Sequence, residues 1–385
     1  MKHLPARLRV TLLTAAALSA AVTLAAATAS AAPAGRGRPA AAAAAAPSLI
    51  PLQLAGQRVI YSYTGLTPPA SLISQISHGE AAGVIFFGDN ISSTAQIASV
   101  IRTLEAADAA ATNPVHAPLL LMTDQEGGEV RRLPGPPFLS EKQIGASANP
   151  AAAASTAGTR GGNNLRGVGM NVNLAPVLDV YRQAGDFDDQ FQRSYSMNPN
   201  VVSAAGAAFI TAQQNTGVAA TAKHFPGLGA ATASQNTDAE PVTLNVPLSA
   251  LRATDEFPYQ AAIAAGVKLV MVSWAVYPAL GTKRPAGLSS NVVGGELRTR
   301  LGFTGVTITD ALEAGALSAY GSTQNRATQA AGAGMDLILC ASGSVSQGIT
   351  AMDGLRTAYN NGTLPHAAFQ AAVNRVIALR QGLPA

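Results

Sequence analysis

Cysteine is almost absent: Cys340 is the only one in 385 residues. No internal disulfide can form, so packing has to hold the fold together. Cys340 closes the apolar run MDLILC, which marks it as a buried structural thiol. Tryptophan is equally scarce, with Trp274 alone, and aromatic residues make up 5% of the chain. Charged residues amount to 12%, and with so few aromatics this excludes a nucleic-acid-binding surface. Part of the formal charge of +4 comes from Lys2, Arg7 and Arg9 at the extreme N-terminus, so the remainder is close to neutral. No Gly-x-Gly-x-x-Gly loop follows an early strand, which argues against an open dinucleotide-binding sheet. No His/Cys/carboxylate cluster stands at ligand spacing, so neither a metal nor another cofactor is expected. There is no convincing internal repeat and no linker to a second domain.

The chain opens with the basic residues just named, then the apolar run VTLLTAAALSAAVTLAAATA, then Ala29-Ser30-Ala31. That order reads as a secretory signal over residues 1–31, cleaved after an Ala-x-Ala site. Retained, the same run would be nearly long enough to anchor the chain in a bilayer. Once it is cleaved, no membrane contact is expected and the protein is extracytoplasmic. Residues 32–47, APAGRGRPAAAAAAAP, form a low-complexity spacer expected to be disordered. Residues 48–385 have globular composition and are long enough for one large domain with a full core. Nothing in them sets an oligomeric state.

Eight short β-type runs punctuate that domain, at 58–63, 83–88, 119–124, 171–180, 219–225, 269–276, 305–310 and 335–340. Several are continuous apolar runs, as parallel strands covered on both faces require. The intervening segments, such as 89–111 and 243–265, can hold crossover helices. Eight strands alternating with helices predict an α/β fold, a single (β/α)8 TIM-type barrel. Catalytic groups of such a barrel lie at the C-terminal strand ends, and the unusual polar residues fall there. Asp124 ends the third run, Asp179 nearly ends the fourth, Lys223 and His224 close the fifth, and Asp310 closes the seventh.

Four stretches stand out for their chemistry. MTDQEGGEVRRL sets Asp124 and Glu126 before Gly127-Gly128, with Arg131 and Arg132 beyond. Glycines allow a sharp turn or close approach to a ligand, and carboxylates beside guanidinium groups can hold several hydroxyls. FQRSYSMNPN offers Arg193, and GVTITDALEAGAL offers Asp310 at a strand end, a position that also suits a helix cap. VMVSWAVYP carries Trp274, either core packing or a sugar-stacking platform, with core packing the safer reading.

Taken in order, DQEGGEVRRL, NLAPVLDV, RSYSMNP, KHFPGLG, PAGLSSNVVGGELRTRLGFTGVTITDAL and AGMDLIL resemble segments of family 3 glycoside hydrolases, in particular their single-domain β-N-acetylhexosaminidase branch. The resemblance covers nearly all of residues 50–380. It implies a carbohydrate substrate, with Asp310 as nucleophile and with Asp124, Arg132, Arg193, Lys223 and His224 binding the terminal sugar. Such chemistry needs one ionised carboxylate at the anomeric carbon and donors on the ring hydroxyls, and a nearby Lys223 would help keep Asp310 ionised. Family members often read Asp-Asp-Leu where this chain has Asp310-Ala311-Leu312, a change that leaves the nucleophile in place.

One expected group is missing. The branch takes its acid/base from an Asp-x-His pattern in the loop after KHFPG-x-G, and those positions fall here on Ser234 and Asn236. The five histidines are His3, His78, His116, His224 and His366, and only His224 is close in sequence. Two extra loop residues would bring Asp238 onto the histidine position, and Glu240 stands two residues further on. A carboxylic acid can donate a proton near neutrality when its pKa is raised. The expectation is an exported retaining exo-β-glycosidase with Asp310 and Asp238 as its catalytic pair. Two alternatives stay open: a sugar-binding homologue that has lost its donor, and a β-glucosidase of the same family.

Overall fold

The computed structural model describes residues 49–384. The expected signal (1–31) and spacer (32–47) lie outside the described residues. Eight parallel strands form the centre: β1 Val59–Tyr61, β2 Gly83–Ile85, β3 Leu120–Thr123, β4 Val172–Asn173, β5 Ala219–Phe225, β6 Leu269–Val272, β7 Val306–Thr309 and β8 Ile338–Leu339. Each pairs with its sequence neighbours and β1 also pairs with β8, while the Ile308–Leu337 bridge joins β7 to the β8 segment. The strands thus make a nearly closed barrel of the TIM type, as the alternating pattern predicted.

Alternation along the strands divides the core into two shells. Ile60, Leu120, Met122, Leu269 and Ile308 fill the barrel interior. Tyr61, Leu119, Leu121 and Val270 belong to the larger shell of side chains that includes the helices. Every residue of these strands is buried, which accounts for their apolar runs. Cys340 is buried beside β8, and burial pushes its thiol up.

The crossovers hold helices α1 Ala70–Ser77, α2 Thr94–Asp108, α3 Pro150–Arg166, α4 Pro199–Gln214, α5 Phe257–Ala264, α6 Asn291–Arg300, α7 Thr323–Ala333 and α8 Val345–Asn360, with α6 wound as a π-helix. A last helix, α9 His366–Gln381, follows. Their starts are chemically marked. Ser93, Asn149 and Ser322 each accept a hydrogen bond from a first-turn amide, and Pro150 and Pro199 occupy first helical positions. Helix α3 is rich in Ala and Gly and packs closely on α4: a Cβ on Gly158 would lie 2.5 Å from the Phe209 carbonyl oxygen.

Two elements differ from expectation. The fourth run forms a regular strand only at Val172–Asn173; Pro176 has no N–H for a ladder, and pairing with β5 resumes at the isolated Val177–Lys223 bridge. The 243–265 segment becomes helical only from Leu248, after Pro241 and Pro247.

Candidate active site

The polar strand ends converge on one cavity of about 470 Å³ at the C-terminal mouth of the barrel, lined in part by Asp124, Arg132, Arg193, Lys223, His224, Asp238 and Asp310. The expected catalytic pair and all five expected sugar-binding residues therefore line one space, while Asp179 lies behind it, paired with His224.

Its floor is a network of buried charges. The Lys223 ammonium lies 2.7 Å from Asp124 Oδ1 and 2.8 Å from Glu126 Oε1. Arg193 grips both oxygens of Glu126 at 2.9 Å and Asp188 Oδ1 at 2.9 Å. Burial alone would raise the Glu126 pKa, but Arg193 and Lys223 hold it down to about 2. Burial works against the Lys223 ammonium too, and Asp124 and Glu126 outweigh it, so its pKa rises. His224 Nδ1 meets Asp179 Oδ2 at 2.7 Å, and Asp179 Oδ1 also accepts the Leu228 amide at 2.6 Å. Burial is overcome there as well: Asp179 raises the imidazole, and His224 lowers the carboxylate. Asp188 ends higher, pushed up to about 7 by burial despite Arg193.

The hairpin formed by Gln125–Gly127 and Val130–Arg131 places Glu126 in this floor. Gly127 has φ of 126°, and a Cβ there would stand 2.2 Å from the Leu139 carbonyl oxygen, so the turn needs glycine. The two arginines beyond it separate. Arg131 turns away to the Gly128 and Gly135 carbonyls, whereas Arg132 lines the cavity and its buried Nε has no hydrogen-bond partner.

Asp310 follows β7, and its Oδ1 accepts the Ala311 amide at 2.7 Å. Lys223 spends its charge on Asp124 and Glu126, and Asp310 has no ion pair among the described residues. Lys223 lines the same cavity as Asp310 without a direct ion pair to it. Trp274 is fully buried and donates its indole N–H to the Ala311 carbonyl at 2.9 Å. It braces the peptide after Asp310 and is no exposed platform.

Asp238 sits at the solvent-facing rim of the same cavity. The Asp310 charge, then partial burial, raises its carboxyl to about 6. Glu240 is exposed and does not line the cavity. Glu126, named in the sequence beside Asp124, lines the cavity, whereas the buried Asp188 and Glu141 lie behind it and sequence reasoning gave those two no role. Asp188 sits in an ordinary acidic stretch, FDDQ, and Glu141 opens a short helix, so burial is their only distinguishing property. Linear spacing also hid a cluster: ligand atoms of Asp179, Asp188 and His224 lie within 4.8 Å of one another. The His224–Asp179 and Arg193–Asp188 contacts already give each of them an ionic partner.

The family profile described as "Glycosyl hydrolase family 3 N terminal domain" matches residues 56–379. The chain belongs to glycosyl hydrolase family 3. It is a glycoside hydrolase. An "Uncharacterized secreted glycosyl hydrolase" of Arthroderma benhamiae is 45% identical over 86% of this chain and 93% of its own length. A "Beta-hexosaminidase" of Xanthomonas oryzae pv. oryzae is 32% identical over 73% of this chain and 83% of its own. Among solved structures, a family 3 beta-N-acetylglucosaminidase from Paenibacillus sp. str. FPU-7 superposes with a TM-score of 0.81 and 34% identity. That match covers 87% of this family 3 hydrolase but only 63% of the Paenibacillus chain. A beta-N-acetylhexosaminidase from Beutenbergia cavernae matches at TM-score 0.77 and 30% identity, over 86% of this chain and 99% of its own. No helix among the described residues is long and apolar enough to cross a membrane.

Proposed function

We propose that this family 3 hydrolase is an exported, retaining exo-β-N-acetylglucosaminidase acting on cell-wall or chitin-derived saccharides. The observation that carries the reading is the pairing of Asp310 and Asp238 across one cavity whose floor holds Asp124, Arg132, Arg193, Lys223 and His224. Asp310 attacks the anomeric carbon while the protonated Asp238 gives its proton to the leaving oxygen, and the glycosidic bond breaks. Water, deprotonated by Asp238, then attacks the aspartyl ester and releases the sugar with its original anomeric configuration. The floor residues bind the hydroxyls of the terminal sugar, and Arg132 lines the cavity beside them. The printed names of the Xanthomonas, Paenibacillus and Beutenbergia relatives support the N-acetylglucosamine assignment. Export is supported by the basic-apolar-small order of residues 1–31 and by the word "secreted" in the Arthroderma relative's name.

The test is a panel of aryl β-glycosides (N-acetylglucosaminide, glucoside and xyloside) together with mass-spectrometric trapping by a slow fluorinated N-acetylglucosaminide. Preferred turnover of the N-acetylglucosaminide and a label on Asp310 are expected, with no label in Asp310→Ala. A label on another carboxylate overturns the nucleophile assignment. Preferred turnover of the glucoside moves the enzyme to the β-glucosidases, and an inert wild type favours a sugar-binding homologue.

A further inference from the structure

The floor of the cavity is charged, but one side of its mouth is aromatic. Phe187 and Phe191 both line it, with ring centroids 5.8 Å apart at an interplanar angle of 80°. Phe187 is buried, whereas Phe191 is 44% exposed, an unusual position for a phenylalanine at the entrance of a polar pocket. The backbone holds this arrangement in place. Between Phe191 and Arg193 stands Gln192, the only non-glycine residue with positive φ (57°) among the described residues. Its carbonyl accepts the Lys142 amide at 3.2 Å, and its side-chain oxygen accepts the Ser140 hydroxyl at 3.1 Å. The chain therefore turns sharply between a ring kept at the mouth and a guanidinium sent to the floor. Such a left-handed conformation at a non-glycine residue is often found where a functional group has to be aimed.

The position of Phe191 relative to the chemistry follows from two hydrogen bonds. The Phe187 amide donates to the Ala231 carbonyl at 3.0 Å, and Gln190 Nε2 donates to the Ala233 carbonyl at 2.9 Å. They tie the short helix Phe187–Gln190 to the loop that carries Asp238. A proton donor must stand beside the oxygen it protonates, so that loop marks the side of the cavity from which the leaving group departs. We infer that Phe191, braced edge-on by Phe187, is the platform of a leaving-group subsite on which the ring of the departing sugar stacks. This inference rests on the hydrolase reading above. An aromatic face offers a pyranose an apolar surface matching its C–H face, and it gives up little side-chain entropy to do so.

The experiment compares wild type, Phe191→Ala and Phe191→Tyr on two substrates with the same N-acetylglucosaminyl group. One is the β-1,4 disaccharide of N-acetylglucosamine, and the other is the glycosyl fluoride, whose leaving group has no ring. Phe191→Ala should raise KM for the disaccharide by about three- to tenfold, the weight of one aromatic contact. It should leave fluoride hydrolysis and competitive inhibition by free N-acetylglucosamine unchanged, and Phe191→Tyr should restore disaccharide binding. Equal loss on both substrates means that Phe191 only supports the fold, and no loss on the disaccharide means that the leaving sugar does not touch it; either overturns the subsite. A wild type that cleaves the fluoride but not the disaccharide also overturns it. A wild type that cleaves neither overturns the hydrolase reading first and the subsite with it.

Discussion

Asp238 and Asp310 share one cavity, and the charge of one governs the proton on the other. With Asp310 ionised, a proton on Asp238 is favoured, and its pKa stands at about 6. A general acid works only while protonated, so kcat/KM for the disaccharide should hold below about pH 6 and fall roughly tenfold per unit above it. Asp238→Asn should abolish that alkaline limb and lower disaccharide turnover by about 10²–10⁴-fold. The coupling has its own check. In Asp310→Asn the neighbouring negative charge is gone, ionisation of Asp238 becomes easier, and its carboxyl resonance should titrate below 6 by NMR. An unchanged titration would mean that Asp310 does not set the acidity of Asp238.

The segment after β7 does more than carry Asp310. Five residues on, the Gly315 amide donates to the Asp238 carbonyl at 2.7 Å, and the Ala316 amide donates to that of Thr237 at 3.0 Å. One stretch of chain thus bears one carboxylate of the pair and fastens the loop bearing the other. Glycine is required at this junction by space: a Cβ on Gly315 would lie 2.1 Å from the Ala239 carbonyl oxygen. Gly315→Ala should push the Asp238 loop outward. Disaccharide cleavage, which needs the acid, should drop by up to about 10²-fold, the scale of an ångström-sized misplacement. Glycosylation by an activated aryl glycoside, which does not need the acid, should change far less. Equal losses on both substrates would show that Asp310 had moved as well.

The barrel is sealed at the end away from the site by Asp336. Its Oδ2 accepts the Thr307 amide at 2.9 Å and meets Arg298 at 2.6 Å, while Oδ1 meets Arg375 at 2.7 Å. The carboxylate is fully buried, and it joins β7, the β8 segment, α6 and α9 at the seam where the sheet closes. Asp336→Ala leaves two cations and a strand amide without their acceptor, and should destabilise the fold by about 3 kcal/mol. Urea unfolding should show the lower midpoint, while kcat in the cold stays near wild type because the site lies at the opposite barrel mouth. A loss of kcat with unchanged stability would contradict this division of roles.

The sequence alone determined the barrel. Its eight strands are buried and several are nearly continuous apolar runs, and its crossovers are long enough for helices, so local pattern and tertiary fold coincide. It also determined which strand ends send charged side chains into the cavity, because a charged residue closing an apolar strand has few places to go in a barrel. Asp124, Lys223, His224 and Asp310 were legible for that reason, and the six family segments added Arg132 and Arg193. Tertiary structure alone decided the rest. Asp188 and Glu141 look like surface acids until packing buries them, since burial depends on residues distant in sequence. Which of Asp238 and Glu240 faces the cavity depends on how the loop turns, and hydrogen bonds from the segment after β7 hold the loop with Asp238 at the cavity and Glu240 outside it. Trp274 was ambiguous because an indole can stack on a sugar or fill a core; the bond to the Ala311 carbonyl, 37 residues away, resolved it as core. Local sequence specifies what a strand end carries, but the field and space around it come from chain segments that only folding brings together.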